Sequence, residues 1–145
     1  MKVSKNIPLA EITLRRYERP YNMPRRELIK KLCLSVGLLQ PGDSRDIVVD
    51  VLQVMLDNKE LSSKEIENEV IKLRRKNKLP LVGIAGSNIR RQLKRLKDLY
   101  LVENNENLYR ITENEKLITL FEERIENFYL KSIVSRVKEY FKVVK

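Results

Sequence analysis

The chain contains no histidine and no tryptophan, a single cysteine, and only four glycines among its 145 residues. Without histidine, the usual proton shuttle near neutral pH is missing and zinc sets lose their commonest nitrogen ligand. Cys33 cannot form an internal disulfide, and between Leu32 and Leu34 it reads as a small core residue. No phosphate-cradling glycine loop, no nucleophile elbow and no pair of Cys-x-x-Cys occurs. The residues therefore supply no catalytic constellation, no cofactor motif and no identifiable small-molecule site. Asp46 and Asp50, one helical turn apart, invite a metal, although acids near a helix start more often serve the helix dipole. Apolar runs fall far short of the ~18 residues that span a bilayer, and the N-terminus lacks the order of a signal peptide. The expectation is a cytoplasmic protein without a membrane segment.

What the chain has in excess is positive charge. Thirty Lys and Arg face twenty Asp and Glu, a formal +10 with a pI near 9.8, so a charged partner would be polyanionic. The excess is uneven: +5 in residues 1–43, zero in 44–76, +5 in 77–100, −2 in 101–113 and +2 in 114–145. Two segments thus carry it, as an electrostatic footprint on nucleic acid requires.

Residues 1–25 hold three prolines and little periodicity beyond Ile12 and Leu14, with Arg15, Arg16, Arg19 and Arg25 around Tyr17 and Tyr21. They read as an extended basic arm with one short strand. Such an arm can follow phosphates or enter a minor groove, or it can pack over its own domain or a second subunit. Pro24 suits the first turn of a helix carrying Leu28, Leu32 and Cys33, and Gly37 offers its left-handed cap. After the LQPGD turn, Ile47, Val48, Val51, Leu52, Met55 and Leu56 recur at three and four, predicting the most buried helix from Ser44. Glu60-Leu61 predicts a small strand. Ser62 and Glu65 form a capping box with Leu61 and Ile66 as its staple. The helix that follows has an inner stripe of Ile66, Val70 and Leu73 and cations Lys72, Arg74, Arg75 and Lys76 toward its end, where they suit the dipole.

A ten-residue link, NKLPLVGIAG, leads to the stretch around which the rest is arranged, GSNIRRQLKRLKDLYLVENNENLYRIT over residues 86–112. Ser87 is placed to cap a helix whose Ile89, Leu93, Leu96 and Tyr100 fall in one stripe. Arg91, Lys94 and Arg95 project to the far side, flanked by Arg90 and Lys97, so five cations meet one acid, Asp98. Such a face is often merely solvated. Its position after a capped helix and before a hairpin is what raises its significance. Leu101–Glu103 and Leu108–Ile111 predict two short strands joined through Asn104–Asn107. Thr112 and Glu115 form a second capping box, opening a long helix from about Glu113 to Val143 with apolar residues at three and four throughout. That stripe outruns the domain, which predicts a homodimer. The alternative is a break near Leu130–Ser132 that folds the helix back.

Residues 62–112, with LSSKEIENEVIKL, SNIRRQLKRLKDLYLVE and NLYRIT, resemble the helix-turn-helix and wing of the winged-helix transcriptional regulators of archaea and bacteria. With the arm and the terminal stripe, the expectation is a mainly α fold with an N-terminal arm and a long C-terminal helix, divided into a basic arm at 1–25, a winged-helix DNA-binding domain at 26–112 and a dimerising helix at 113–145. The resemblance itself covers about a third of the chain and implies a winged helix-turn-helix with a small β-hairpin wing. It also implies that Ser87, Asn88, Arg90, Arg91, Lys94 and Arg95 face duplex DNA, with Arg91 and Arg95 offered to guanine edges. Asn105, Asn107 and Arg110 of the wing and Arg15, Arg16 and Arg19 of the arm complete the candidate set. Glu103 and Glu106 oppose a simple wing contact. Two other readings stay open, a docking module of a transcription or replication complex and an RNA-binding winged helix.

Overall fold

The computed structural model describes residues 5–145; residues 1–4 of the arm lie outside it. The order of elements is α1 (Arg25–Ser35), α2 (Ile47–Asp57), β1 (Leu61–Ser62), α3 (Ser63–Lys76), α4 (Gly86–Asp98), β2 (Val102–Asn105) and β3 (Leu108–Ile111). A long helix, α5, follows; it is α-helical over Leu117–Leu120, π over Phe121–Leu130 and α again over Lys131–Val144. The fold is mainly helical, with a three-stranded antiparallel sheet in the order β1-β3-β2.

Helix α2 occupies the centre. Ile47, Val48, Val49, Val51, Leu52, Val54 and Met55 are all buried, so apolar residues cover most of its circumference, with Asp50 the charged exception among them. It touches α1, α3, α4 and β3. Ile66 and Val70 of α3 and Ile89, Leu93 and Leu96 of α4 close the core around it. The expected stripes of both helices are thus in place, and α2 itself begins three residues after Ser44.

Three of the helix ends use one device. Gly37 of α1, Lys78 of α3 and Tyr100 of α4 adopt φ of 77°, 55° and 66°. Each is followed by a residue whose N–H returns to a carbonyl five back: Leu38 to Cys33, Leu79 to Arg74 and Leu101 to Leu96. The left-handed residue turns the chain, and the returning N–H satisfies a terminal carbonyl. Only at α1 is that residue glycine, and Thr13 leaves no room there, since a Cβ would come within 2.7 Å of it.

The capping box at α3 is complete. Ser62 Oγ accepts from the Glu65 N–H at 3.2 Å, and the Glu65 carboxylate accepts from the Ser62 N–H at 2.9 Å. The second box does not form. Glu113 and Asn114 take φ of 54° and 50°, so no helix can pass through them. The Thr112 hydroxyl instead donates to the Tyr100 carbonyl at 3.0 Å, and α5 starts at Leu117. At Leu130 the helix continues without interruption, with helical backbone there and at Lys131. The region from 113 onward has no proline or glycine, so nothing local would break it.

Asp46 and Asp50 belong to a buried charge cluster. Asp50 is 0 % exposed and accepts from Arg26 Nη1 at 2.6 Å and Arg74 Nη1 at 2.6 Å. Asp46 accepts from Arg26 at 2.9 Å and Arg74 at 3.0 Å. Arg74, expected on the basic C-terminal surface of α3, is instead 3 % exposed, and its Nε donates to the Pro80 carbonyl at 2.7 Å. One guanidinium therefore ties α2 and α3 to the link that precedes α4. Burial alone would raise the Asp46 carboxyl, but hydrogen bonding from Arg74 and the charge of Arg26 outweigh it and hold it below the ordinary carboxylate range.

Candidate nucleic-acid interface

Helix α4 presents the site, and its strongly two-sided pattern explains why. Ile89, Leu93 and Leu96 are fully buried, which forces the residues between them outward. Arg90, Arg91 and Lys94 are exposed. Neither Arg90 nor Arg91 has a hydrogen-bond or ion-pair partner among the described residues. Lys94 pairs with Asp98 at 3.0 Å, an exposed i,i+4 pair that water screens. Lys97 reaches Asn104 of the hairpin at 3.4 Å.

Two of the expected DNA contacts are structural instead. Arg95 is half-buried, and its guanidinium donates to the carbonyls of Leu38 at 2.6 Å and Gly37 at 3.3 Å and to Gln92 Oε1 at 2.7 Å. Arg15 donates to the carbonyls of Leu34 at 2.7 Å and Leu39 at 3.2 Å and also bonds Gln40. Both arginines converge on the C-terminal end of α1. Their acceptors are the Leu34 carbonyl in its last turn and the carbonyls of Gly37, Leu38 and Leu39 in the loop that follows, a destination that no periodicity in their own segments announces. Arg95 is thereby removed from the groove-facing set.

Ser87 is a further correction. The helix begins two residues earlier than expected, with Ala85 rather than Ser87 at the cap position and no side chain capping it. Ser87 lies exposed in the first turn, where the Glu67 carboxylate of α3 stands close to Gly86. Asn88 donates to the Gly83 carbonyl at 2.7 Å and thus holds the link against the helix. Beside it, Arg45 lines a small cleft with Asn88 and Arg91, between the segment leading into α2 and α4. Arg45 is exposed, and sequence reading missed it because a lone arginine in a turn carries no periodic signal.

The hairpin turns more tightly than expected. Only Glu106 and Asn107 form the connection, at φ of 51° and 64°, the pair of positive values that a two-residue turn between twisted strands demands. Asn105 and Asn107 are exposed at its tip. Arg110 is not free, because it sits across from Glu103 in the ladder and pairs with it at 2.5 Å. The Glu113 N–H, donating to the same carboxylate at 3.0 Å, is the main cause that holds Glu103 below its usual range, with Arg110 assisting. Glu103 is therefore already neutralised within the protein.

The arm divides in two. Residues 11–15 strap over the body: the Glu11 N–H and carbonyl both bond the Tyr129 hydroxyl at 3.1 Å, and the Arg15 N–H donates to Ser35. No strand forms there. Arg16 and Arg19 are exposed beyond the strap, while the Tyr17 ring lies 4.9 Å below the Lys31 ammonium.

Among the described residues no group of three or more Cys, Asp and Glu side chains is placed to hold a metal ion, and no helix is long and apolar enough to cross a membrane. Burial pushes the Cys33 thiol up to about 12, so it has no reactive thiolate near neutral pH. Neither the family models, nor the curated proteins, nor the solved structures include a match to this chain.

Proposed function

We propose that the chain is a winged helix-turn-helix protein that binds duplex DNA as a homodimer in the cytoplasm and regulates transcription. In this reading α3 and α4 are the helix-turn-helix, α4 enters the major groove and the β2–β3 hairpin is the wing. The observation that carries it is Arg91, exposed and unpaired on the outer face of α4 with Arg90 and Lys94 beside it and the hairpin directly after. Phosphate neutralisation by Arg45, Arg90, Lys94, Arg16 and Arg19 would supply affinity, and Arg91 would read a guanine edge through O6 and N7. The exposed Ser87 hydroxyl in the first turn of α4 suits a phosphate contact. Asn105 and Asn107 are the wing groups left to meet the backbone.

Selection of bound fragments from random duplex DNA, repeated at two salt concentrations, tests this reading. An enriched inverted repeat, bound more weakly at the higher salt, supports it. Enrichment of nothing, or preference for structured RNA of equal charge, overturns it. The apolar residues exposed on the last turns of α5 favour a second reading, in which the chain docks on a larger complex through that helix. Such docking would hold its strength as salt rises, whereas DNA binding would lose it.

A further inference from the structure

Beyond Leu130 the terminal helix leaves the body of the protein. Lys131–Val144 contains no buried residue, and Tyr140, Phe141 and Val143 are 68, 77 and 80 % exposed. Leu130, Ile133, Val137, Tyr140 and Val144 follow at alternating intervals of three and four, the spacing of a seam that packs on another helix. At the root of α5 lies an apolar cleft of 470 Å³ lined by Leu14, Leu32, Val36, Leu117, Ile118 and Phe121. Its rim residues Leu14 and Ile118 are 45 and 60 % exposed. The two halves of the helix also differ in charge. The tail carries Lys131, Arg136, Lys138, Lys142 and Lys145 against Glu139 alone, whereas the root carries exposed Glu122, Glu123 and Glu126 against Arg124.

We propose that a second copy of this chain covers the seam, the two α5 helices lying antiparallel about a two-fold axis near Leu130, with each tail seated over the partner's root cleft. Length sets the register. Phe141 lies eleven residues beyond Leu130 and Ile118 twelve before it. At about 1.5 Å per residue the α-helical tail reaches roughly 17 Å from Leu130, and the wider π segment makes the span back to Ile118 somewhat shorter, so the tip of one tail reaches the rim of the other's cleft. In that register Glu122 stands level with Lys138 of the other copy, Glu123 with Val137 and Arg124 with Arg136, and the symmetry makes each contact twice. Tails paired with tails would instead set five cations against five, with only Glu139 on each side to offset them. An anionic lipid surface, the other natural host of a basic amphipathic helix, would be repelled by the three glutamates at its root. The inference rests on the homodimer of the proposed function and specifies which surfaces meet.

Disulfide trapping tests it on the full chain without DNA. Positions 118 and 141 lie at opposite ends of one continuous helix, far beyond the roughly 7 Å that a disulfide can bridge, so cysteines there cannot join within a chain. Buried Cys33 stays out of the reaction. Mild oxidation of the Ile118→Cys/Phe141→Cys variant is expected to give a covalent dimer on a denaturing gel, and each single variant is expected to give no covalent link. Equal trapping of Phe141→Cys alone would show tails side by side in parallel and overturn the exchange, as would no trapping at all. A second measurement does not depend on packing at the new cysteines. The exposed-residue variant Glu122→Lys/Glu123→Lys/Glu126→Lys should self-associate about tenfold more weakly than the unaltered chain in sedimentation. Mixing it with Arg136→Glu/Lys138→Glu/Lys142→Glu should restore association. An unaltered chain that stays monomeric, or one that binds phosphatidylserine vesicles instead of itself, also overturns the proposal. Because DNA is absent throughout, a dimer formed this way that ignores duplex DNA sinks only the DNA reading.

Discussion

Replacing Asp50 by alanine removes the centre of the Arg26–Asp46–Asp50–Arg74 cluster without touching the surface of α4. Its carboxylate is fully buried and receives both guanidinium groups at 2.6 Å. Without it Arg74 stays buried with Asp46 as its remaining acid, and Asp46 must also serve Arg26. Breaking a buried ion pair by removing one partner costs about 3–5 kcal/mol, mostly from the charge left uncompensated. Against a total stability of about 5–15 kcal/mol that is a large share, and at roughly 2–4 °C per kcal/mol it lowers the Tm by about 6–20 °C. Urea and thermal unfolding followed by circular dichroism measure it. The variant Arg74→Met separates the cluster from the link, since it also releases the Pro80 carbonyl that precedes α4. Its duplex affinity should fall even under conditions where it is fully folded. A loss below about 1 kcal/mol for Asp50→Ala, within the range of an ordinary surface change, would refute the idea that this cluster locks α2 and α3 to the link.

Arg95→Ala forfeits three hydrogen bonds from a charged donor and should cost about 1.5–3 kcal/mol, whereas Arg91→Ala should stay within about 0.5 kcal/mol in the same unfolding assay. Lys78→Gly relieves a left-handed backbone and should add up to about 1 kcal/mol, read as a small rise in Tm; a fall would show that the Lys78 side chain matters more than its φ. Asp46, Glu65 and Glu103 all titrate below their ordinary values when folded, Glu65 chiefly because it accepts the Ser62 N–H. A depressed carboxyl stabilises the fold above its unfolded pKa, so Tm should be flat from pH 7 to about 5 and drop below about pH 4. A Tm that held level to pH 2.5 would contradict those assignments. Cys33, with its thiol pushed up to about 12, should resist alkylation at pH 8 in the native chain and react at once in urea.

How much of this was legible in the sequence divides along physical lines. Periodic burial was readable: the stripes of α3 and α4 and the apolar α2 are where three-and-four spacing put them. So were the Ser62–Glu65 box and the Gly37 cap, because their chemistry is local. The failures all involve partners distant in sequence or backbone states that side chains do not reveal. Their own segments make Arg95 and Arg15 outward cations, yet they meet carbonyls in the loop after α1 and in its last turn, 57 and 19 residues away. Arg74 looked like one more helix-end cation until Asp46 and Asp50 came against it. Thr112 and Glu115 matched a capping box, but positive φ at Glu113 and Asn114 moved the helix start to Leu117. Arg110 and Glu103 were weighed separately against phosphate, whereas the ladder register makes them a pair. The candidate surface is consequently smaller than the charge count implied. Its core is Arg90, Arg91 and Lys94, with Arg45 added.

The central claim is that the exposed cations of α4 meet phosphates and bases of duplex DNA. The most direct measurement is the salt dependence of duplex affinity for the unaltered chain beside Arg90→Ala/Arg91→Ala/Lys94→Ala, with unfolding curves to show both are intact. The account predicts that the triple variant binds more weakly and that the slope of log affinity against log salt is shallower by about 2–3, one unit for each lost phosphate or groove contact. Equal slopes and equal affinities for the two proteins would contradict it.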